Sequence, residues 1–143
     1  MFSNVTNAIL QSLDQPLPLE TTIRNIRDHL KAALSCDDFK LDCLTNALDS
    51  IEGSETKWVA PPIFHDEQHS ISIRLIYWPA FYSNNPHKHK TWGVTGVFHN
   101  SLDVFTYELL SEPTRLRKQR QIAASADEVG FIMPDCIQNI SIQ

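Results

Sequence analysis

The chain has no stretch of apolar residues approaching the ~18–20 that a membrane-spanning helix requires. Its opening, MFSNVTNAILQSLDQ, has neither the basic start nor the long apolar centre of a secretory leader. The expectation is a soluble, cytoplasmic protein with no membrane partner. Positive charge is in deficit: twelve Lys and Arg stand against seventeen Asp and Glu, for a formal charge of −5. That balance offers nucleic acid or an anionic surface no overall attraction, so neither is expected as a partner. Cysteine is sparse. Cys36, Cys43 and Cys136 are odd in number and show none of the CxxC spacings of zinc sites or redox pairs. Plain thiols in a reducing compartment are the reading that follows. The sequence has no GxGxxG or other phosphate loop and no readable Ser-His-Asp order. Matches to Asn-x-Ser/Thr at Asn4 and Asn139 carry no weight without a secretion signal.

What the chain does contain is a change of period. A length of 143 residues suits one domain, or one small domain with an appendage, around a single core. Over residues 4–13, Val5, Ile9, Leu10 and Leu13 share a helical face, and Pro16 and Pro18 stop the helix. From Leu19 to about Leu34 a second stripe is made by Ile23, Ile26, Leu30, Ala33 and Leu34, with Arg24, Arg27, Asp28 and Lys31 mostly opposite. Asp37 or Asp38 can cap a third helix, in which Leu41, Leu44, Ala47, Leu48 and Ile51 repeat before Gly53. This helical segment, 1–56, is expected to pack on the outside of a sheet portion, because it cannot bury three apolar stripes by itself.

From Lys57 the apolar period becomes two. Strands are predicted over 57–60, 70–78, 91–98, 102–110, 114–122, 128–133 and 136–142, separated by Pro, Gly, Asn and Asp turns. Short strands with no helix between them predict an antiparallel sandwich or barrel over 57–143, so the fold class is mainly β behind a helical segment. His99 and Asn100 read as an exposed turn. The basic run RLRKQRQ reads as an edge strand guarded by charge against sheet-to-sheet pairing.

The candidate chemistry lies in 78–100, WPAFYSNNPHKHKTWGVTGVFHN, where His87 and His89 are one residue apart. The apolar run SISIRLIYW leads into a proline-bounded loop, and the doublet opens TWGVTGVF, whose Gly93 and Gly96 allow close backbone approach or a bulge. On extended backbone, residues two apart leave the same face, so both imidazoles can share one ion. Imidazole is the commonest side-chain ligand for divalent transition metals.

This hairpin resembles the first metal motif of the cupins, small double-stranded β-helices of jelly-roll type. More narrowly, Trp78, then His87 nine residues later, His89, Trp92, Gly93 and Gly96 are similar to the cysteine dioxygenase-like branch. The resemblance covers 57–143. It implies a mononuclear non-haem Fe(II) held by three histidines, with Zn, Ni or Mn as other occupants, and oxidation of a small thiol by O2. The Glu that many cupins carry four or five residues after the second histidine is replaced by Gly93 and Val94, as that branch leads one to expect.

Three departures modify the picture. In EVGFIMPDCIQNI the residues Gly130, Pro134 and Ile137 match the family's second motif, but Gln138 stands at the third ligand position. A neutral carbonyl oxygen is a weaker donor than imidazole, so the implied site is His87, His89 and Gln138 with reduced affinity, another metal, or no metal. Gln143 follows only five residues later, where the family continues for another pair of strands. A shortened or open barrel would need its edge covered, which predicts a homodimer or higher oligomer. Finally, the arginine with which cysteine-oxidising members pair the substrate carboxylate has no counterpart in WVAPPIFHD, and Arg74 lies within a strand. The expectation is therefore a thiol dioxygenase-like enzyme whose small-molecule thiol is not cysteine. The alternative is a non-catalytic or degenerate cupin that binds a small molecule or partner without metal chemistry. His65 and His69 read as solvated loop residues beside Asp66 and Glu67, and Tyr77, Tyr82 and Tyr107 as half-buried tyrosines available for proton relay.

Overall fold

A computed structural model describes residues 1–51, 57–111 and 115–142. Its elements are α1 (Phe2–Asp14), α2 (Leu19–Leu34), α3 (Asp37–Ile51), β1 (Pro62–Asp66), β2 (Ile71–Arg74), β3 (His87–Lys88), β4 (Gly93–Gly96), β5 (Ser101–Ser111), β6 (Arg115–Ser125), β7 (Val129–Ile132) and β8 (Ile137–Ser141). All strand pairing is antiparallel. The described strands form sheets of two, four and two strands, in the orders β1-β2, β3-β8-β5-β6 and β4-β7. The protein is thus mainly β with three helices, and no barrel closes among the described residues.

The chain divides into two compact units, Met1–Pro79 and Ala80–Gln143. In the first, the helices fall where the apolar period places them. Gln15, held extended at φ −74° and ψ 140°, ends α1 ahead of Pro16, since a residue preceding proline is pushed out of the helical region. Asp37 and Asp38 occupy the first turn of α3, where the positive end of the helix dipole favours carboxylates. The expected stop at Gly53 lies outside the described residues. On α2, Ile23, Ile26, Ala33 and Leu34 are buried as the stripe predicts.

On α3 Ala47 is buried as expected, but the rest of the buried face differs. Phe39, Cys43 and Ala47 are buried, whereas Leu41, Leu44 and Leu48 are exposed. The ring of Phe39 stacks on Phe2 at 5.9 Å, and Phe2 meets Phe64 of β1 edge-on at 6.4 Å. An aromatic cluster removes more area from water than a row of leucines rotated away from it, and it sets the rotation of the helix.

The β1–β2 hairpin also corrects the sequence reading. Residues 62–66, read as loop, form β1, which pairs Phe64 with Ile73, His65 with Ser72 and Asp66 with Ile71. Residues 57–60 contribute only the bridge from Val59 to Tyr77. Pro62 still pairs with Arg74 across a register shift before Phe64, and Leu75 N–H donates to Pro61 O, although neither proline has an N–H to give the ladder.

In the second unit β5 and β6 are eleven residues each and pair along almost their whole length. Residues 112–114, including the expected strand start at Thr114, lie outside the described residues. As the charge pattern anticipates, β6 is an edge strand, exposed at almost every position. Its cations are partly engaged: Arg117 pairs with Glu108, and Lys118 Nζ lies 4.1 Å from the centre of the Phe105 ring.

Candidate metal centre

His87 and Lys88 make a strand of their own rather than opening β4. β3 pairs with β8, and β4 with β7. The segment ahead of β3 is already fastened to β8, because Asn84 N–H donates to Ile140 O and Asn84 Oδ1 accepts from Ile140 N–H at 2.7 Å. His87 sits directly opposite Gln138, and Gln138 in turn lies opposite Thr106 of β5. Cross-strand partners share a face with Cβ atoms about 4.5–5.5 Å apart, so the proposed third ligand is the immediate neighbour of the first.

A bulge positions His89. Cys136 N–H donates to Met133 O across a turn whose second central residue, Asp135, has φ 72°. Asp135 N–H then donates to His89 O at 2.8 Å, while His89 N–H donates to Cys136 O at 2.9 Å. Two residues of one strand thus face one of the other, with the first left-handed, which sharpens the local twist and re-aims the opposed side chain. Pro134 at the first central position pre-sets such a turn, and aspartate tolerates the left-handed second position.

The two imidazole rings lie 4.8 Å apart between centroids, tilted by 54°. An ion bound about 2.0–2.1 Å from one nitrogen of each ring would hold the centroids about 4.5–5.2 Å apart at angles between a right angle and the tetrahedral value. His87 Nδ1 lies 3.0 Å from Asn85 O. A carbonyl only accepts, so Nδ1 carries the proton and the lone pair is on Nε2, the arrangement common in metal-ligating histidine. His89 Nε2 is buried without a hydrogen-bond partner. Burial, and then the neighbouring His87, hold the His89 pKa below the ordinary imidazole value, which favours the neutral ligand form. Together these features fit a divalent cation held by two imidazoles. His87 itself is exposed and His89 half-buried, so the pair is open to solvent on one side.

Among the described residues no three His, Cys, Asp or Glu side chains form a cluster able to hold a metal, and the register sets Gln138 across from His87. Asn139, on the opposite face of β8, is buried and accepts a 2.6 Å bond from Tyr107 Oη. That removes Tyr107 from the face of the histidines. The concave surface lined by Ser101, Leu102, Asp103 and Ala123 includes neither histidine. Arg74 donates through Nη1 to Ala60 O at 2.9 Å within the first unit. The three thiols are free; burial, with the charge of Asp42, pushes Cys43 up to about 11, and burial raises Cys136 as well.

His65 lies exposed on β1 rather than in a loop. His69 is not solvated, being held between Asp66 and Asp14 at 2.6 and 2.7 Å. The spacing of Asp66 and His69 within one turn was visible in the sequence, but Asp14, fifty-five residues earlier, was not. Comparison of the chain with protein-family models and with curated proteins finds no match to either.

Proposed function

We propose that the protein binds a divalent transition metal, Fe(II) foremost, through His87 and His89, with Gln138 as the weak third donor. On this reading it is a cupin-like thiol dioxygenase acting on a small thiol. The observation that carries the metal is the buried, unpartnered Nε2 of His89 beside a His87 ring whose own Nδ1 is tied to Asn85 O. The reaction class comes from the motif resemblance. When bound, the ion supplies Lewis acidity and open positions for a thiolate and O2.

The chain's own contribution is positional. The Asp135–Cys136 bulge fixes the backbone of His89, and the Asn84 clasp fixes the approach to β3. Asn85 O holds the tautomer of His87. The segment WVAPPIFHD has no arginine to pair with a substrate carboxylate, and Arg74 is engaged with Ala60 O, so cysteine is not the favoured thiol. The outer strand β6, exposed along its length, favours a homodimer or higher oligomer. A sedimentation run at micromolar concentration giving only the 16.3 kDa monomer would count against that assembly.

Metal analysis tests the centre itself. Near-stoichiometric iron in purified protein, lost in the double His87→Ala, His89→Ala variant, is the expected result. A second reading, a non-catalytic binder on the same scaffold, is favoured by the lack of a third imidazole or carboxylate at the pair among the described residues. Protein that takes up no Fe(II) anaerobically and consumes no O2 with any thiol would establish that reading instead.

A further inference from the structure

The first unit contains a second histidine site that the proposed metal chemistry does not use. Asp14, the last residue of α1, and Asp66, the last residue of β1, grip the ring of His69 from its two sides. Asp66 Oδ2 lies 2.6 Å from Nδ1 and also accepts the His69 backbone N–H at 2.8 Å. Asp14 Oδ1 lies 2.7 Å from Nε2. The His69 side chain is only 16% exposed.

We propose that Asp14, His69 and Asp66 form a pH-sensitive latch that ties the end of α1 to the β1–β2 turn through a charged imidazole. Ionised carboxylates only accept hydrogen bonds, so both bonds form only when both ring nitrogens carry protons. α1 has no basic residue in its last turn. The negative pole of its dipole and the Asp14 carboxylate are therefore answered by a cation from another element, His69. Loss of one proton leaves a lone pair facing a carboxylate. Nδ1 keeps its donor role, because the same Asp66 oxygen is already fixed by the backbone N–H of the turn. The bond that opens is the one to Asp14, and with it the long-range tie.

The charged groups around the ring come from each element packed there. Asp14 on α1 and then Asp66 on β1 raise the His69 pKa, and partial burial opposes them. Glu67 lies in the turn itself, and His65 on β1 acts on Asp66. Glu20 of α2 is engaged by Arg24, and Asp42 of α3 by the amino terminus and Phe2 N–H at the other end of α1. Asp66 is itself depressed by its side-chain and then its backbone bond to His69. A raised imidazole stabilises the fold fully below its unfolded pKa and loses that contribution as pH rises through the folded one. A depressed carboxylate stabilises above its unfolded pKa and loses that contribution as pH falls through the folded one. The latch is closed between those limits, opens at its Asp14 arm on the alkaline side, and loosens at Asp66 in acid.

Proton–nitrogen NMR of the full chain tests the latch. Both ring nitrogens of His69 are expected to be protonated below a titration midpoint that lies above the ordinary ~6.5 of imidazole. The backbone amides at the end of α1 should shift with that same midpoint. In Asp14→Ala the His69 midpoint should fall, and the α1 amides should stop following it. His69→Gln should abolish the response altogether. A midpoint at or below the ordinary value, or α1 amides that ignore the His69 titration in the unmodified protein, would each overturn the proposal.

Discussion

The two units are held by different means. Of the nine buried apolar residues identified among the described residues, eight lie on α1, α2 and α3, and only Val97 lies in the second unit. The first unit has a core in the ordinary sense, made by helical stripes and closed by the Phe2, Phe39 and Phe64 rings. The second is held chiefly by the β5–β6 and β5–β8 ladders, and its buried Asn139 is tied to Tyr107. A helical core tolerates little loss of volume, whereas a sheet stabilised by backbone pairing and a polar bond is most vulnerable where a partner is removed. That difference also places the candidate metal site. The histidines stand in the less densely buried unit, where an ion could add an attachment between β3 and β8 that side-chain packing does not supply.

The comparison can be broken at its strongest point first. Ile23 is fully buried on α2, and Ile23→Ala is expected to cost about 2–5 kcal/mol in chemical denaturation. A cost below about 1 kcal/mol, outside that range, would mean that the helical core is not what holds the first unit. In the second unit, Tyr107→Phe leaves the buried Asn139 Oδ1 without its 2.6 Å donor and should cost about 1–3 kcal/mol. A neutral result would show that the ladder alone suffices. Gly130 of β7 has open space where a Cβ would sit, so Gly130→Ala should stabilise by about 0.4–1 kcal/mol through the unfolded chain. Leu41→Ala should change stability by less than about 0.5 kcal/mol, since Leu41 is 62% exposed. A loss as large as that for Ile23 would show that the outer stripe of α3 is covered in solution.

The helices were legible in the sequence nearly to the residue, because prolines and a 3.6-residue period mark them without reference to anything distant. The rotation of α3 was not, since Leu41, Leu44 and Leu48 repeat around Ala47 as well as Phe39 and Cys43 do. Only the packing of Phe39 on Phe2 decides between the two stripes. Strand β1 was hidden by Pro61 and Pro62, which read as loop, although Pro62 opens the strand and pairs with Arg74. The doublet and Gln138 stand out as a motif far apart in the chain, and the register of β3 on β8, which no local pattern encodes, sets Gln138 opposite His87. The G-turn chemistry that aims His89 was not, because Asp135 rather than glycine takes the left-handed position. The Asp14 arm of the His69 site depended on a tertiary contact that no local pattern encodes.

Anaerobic titration of Fe(II) into the unmodified protein and into Gln138→His, side by side, tests the central claim most directly. Residue 138 faces His87 across the ladder, so a third imidazole there should tighten iron binding by about tenfold or more. Identical affinities, or no binding by either protein, would mean that the two histidines do not share a cation with position 138.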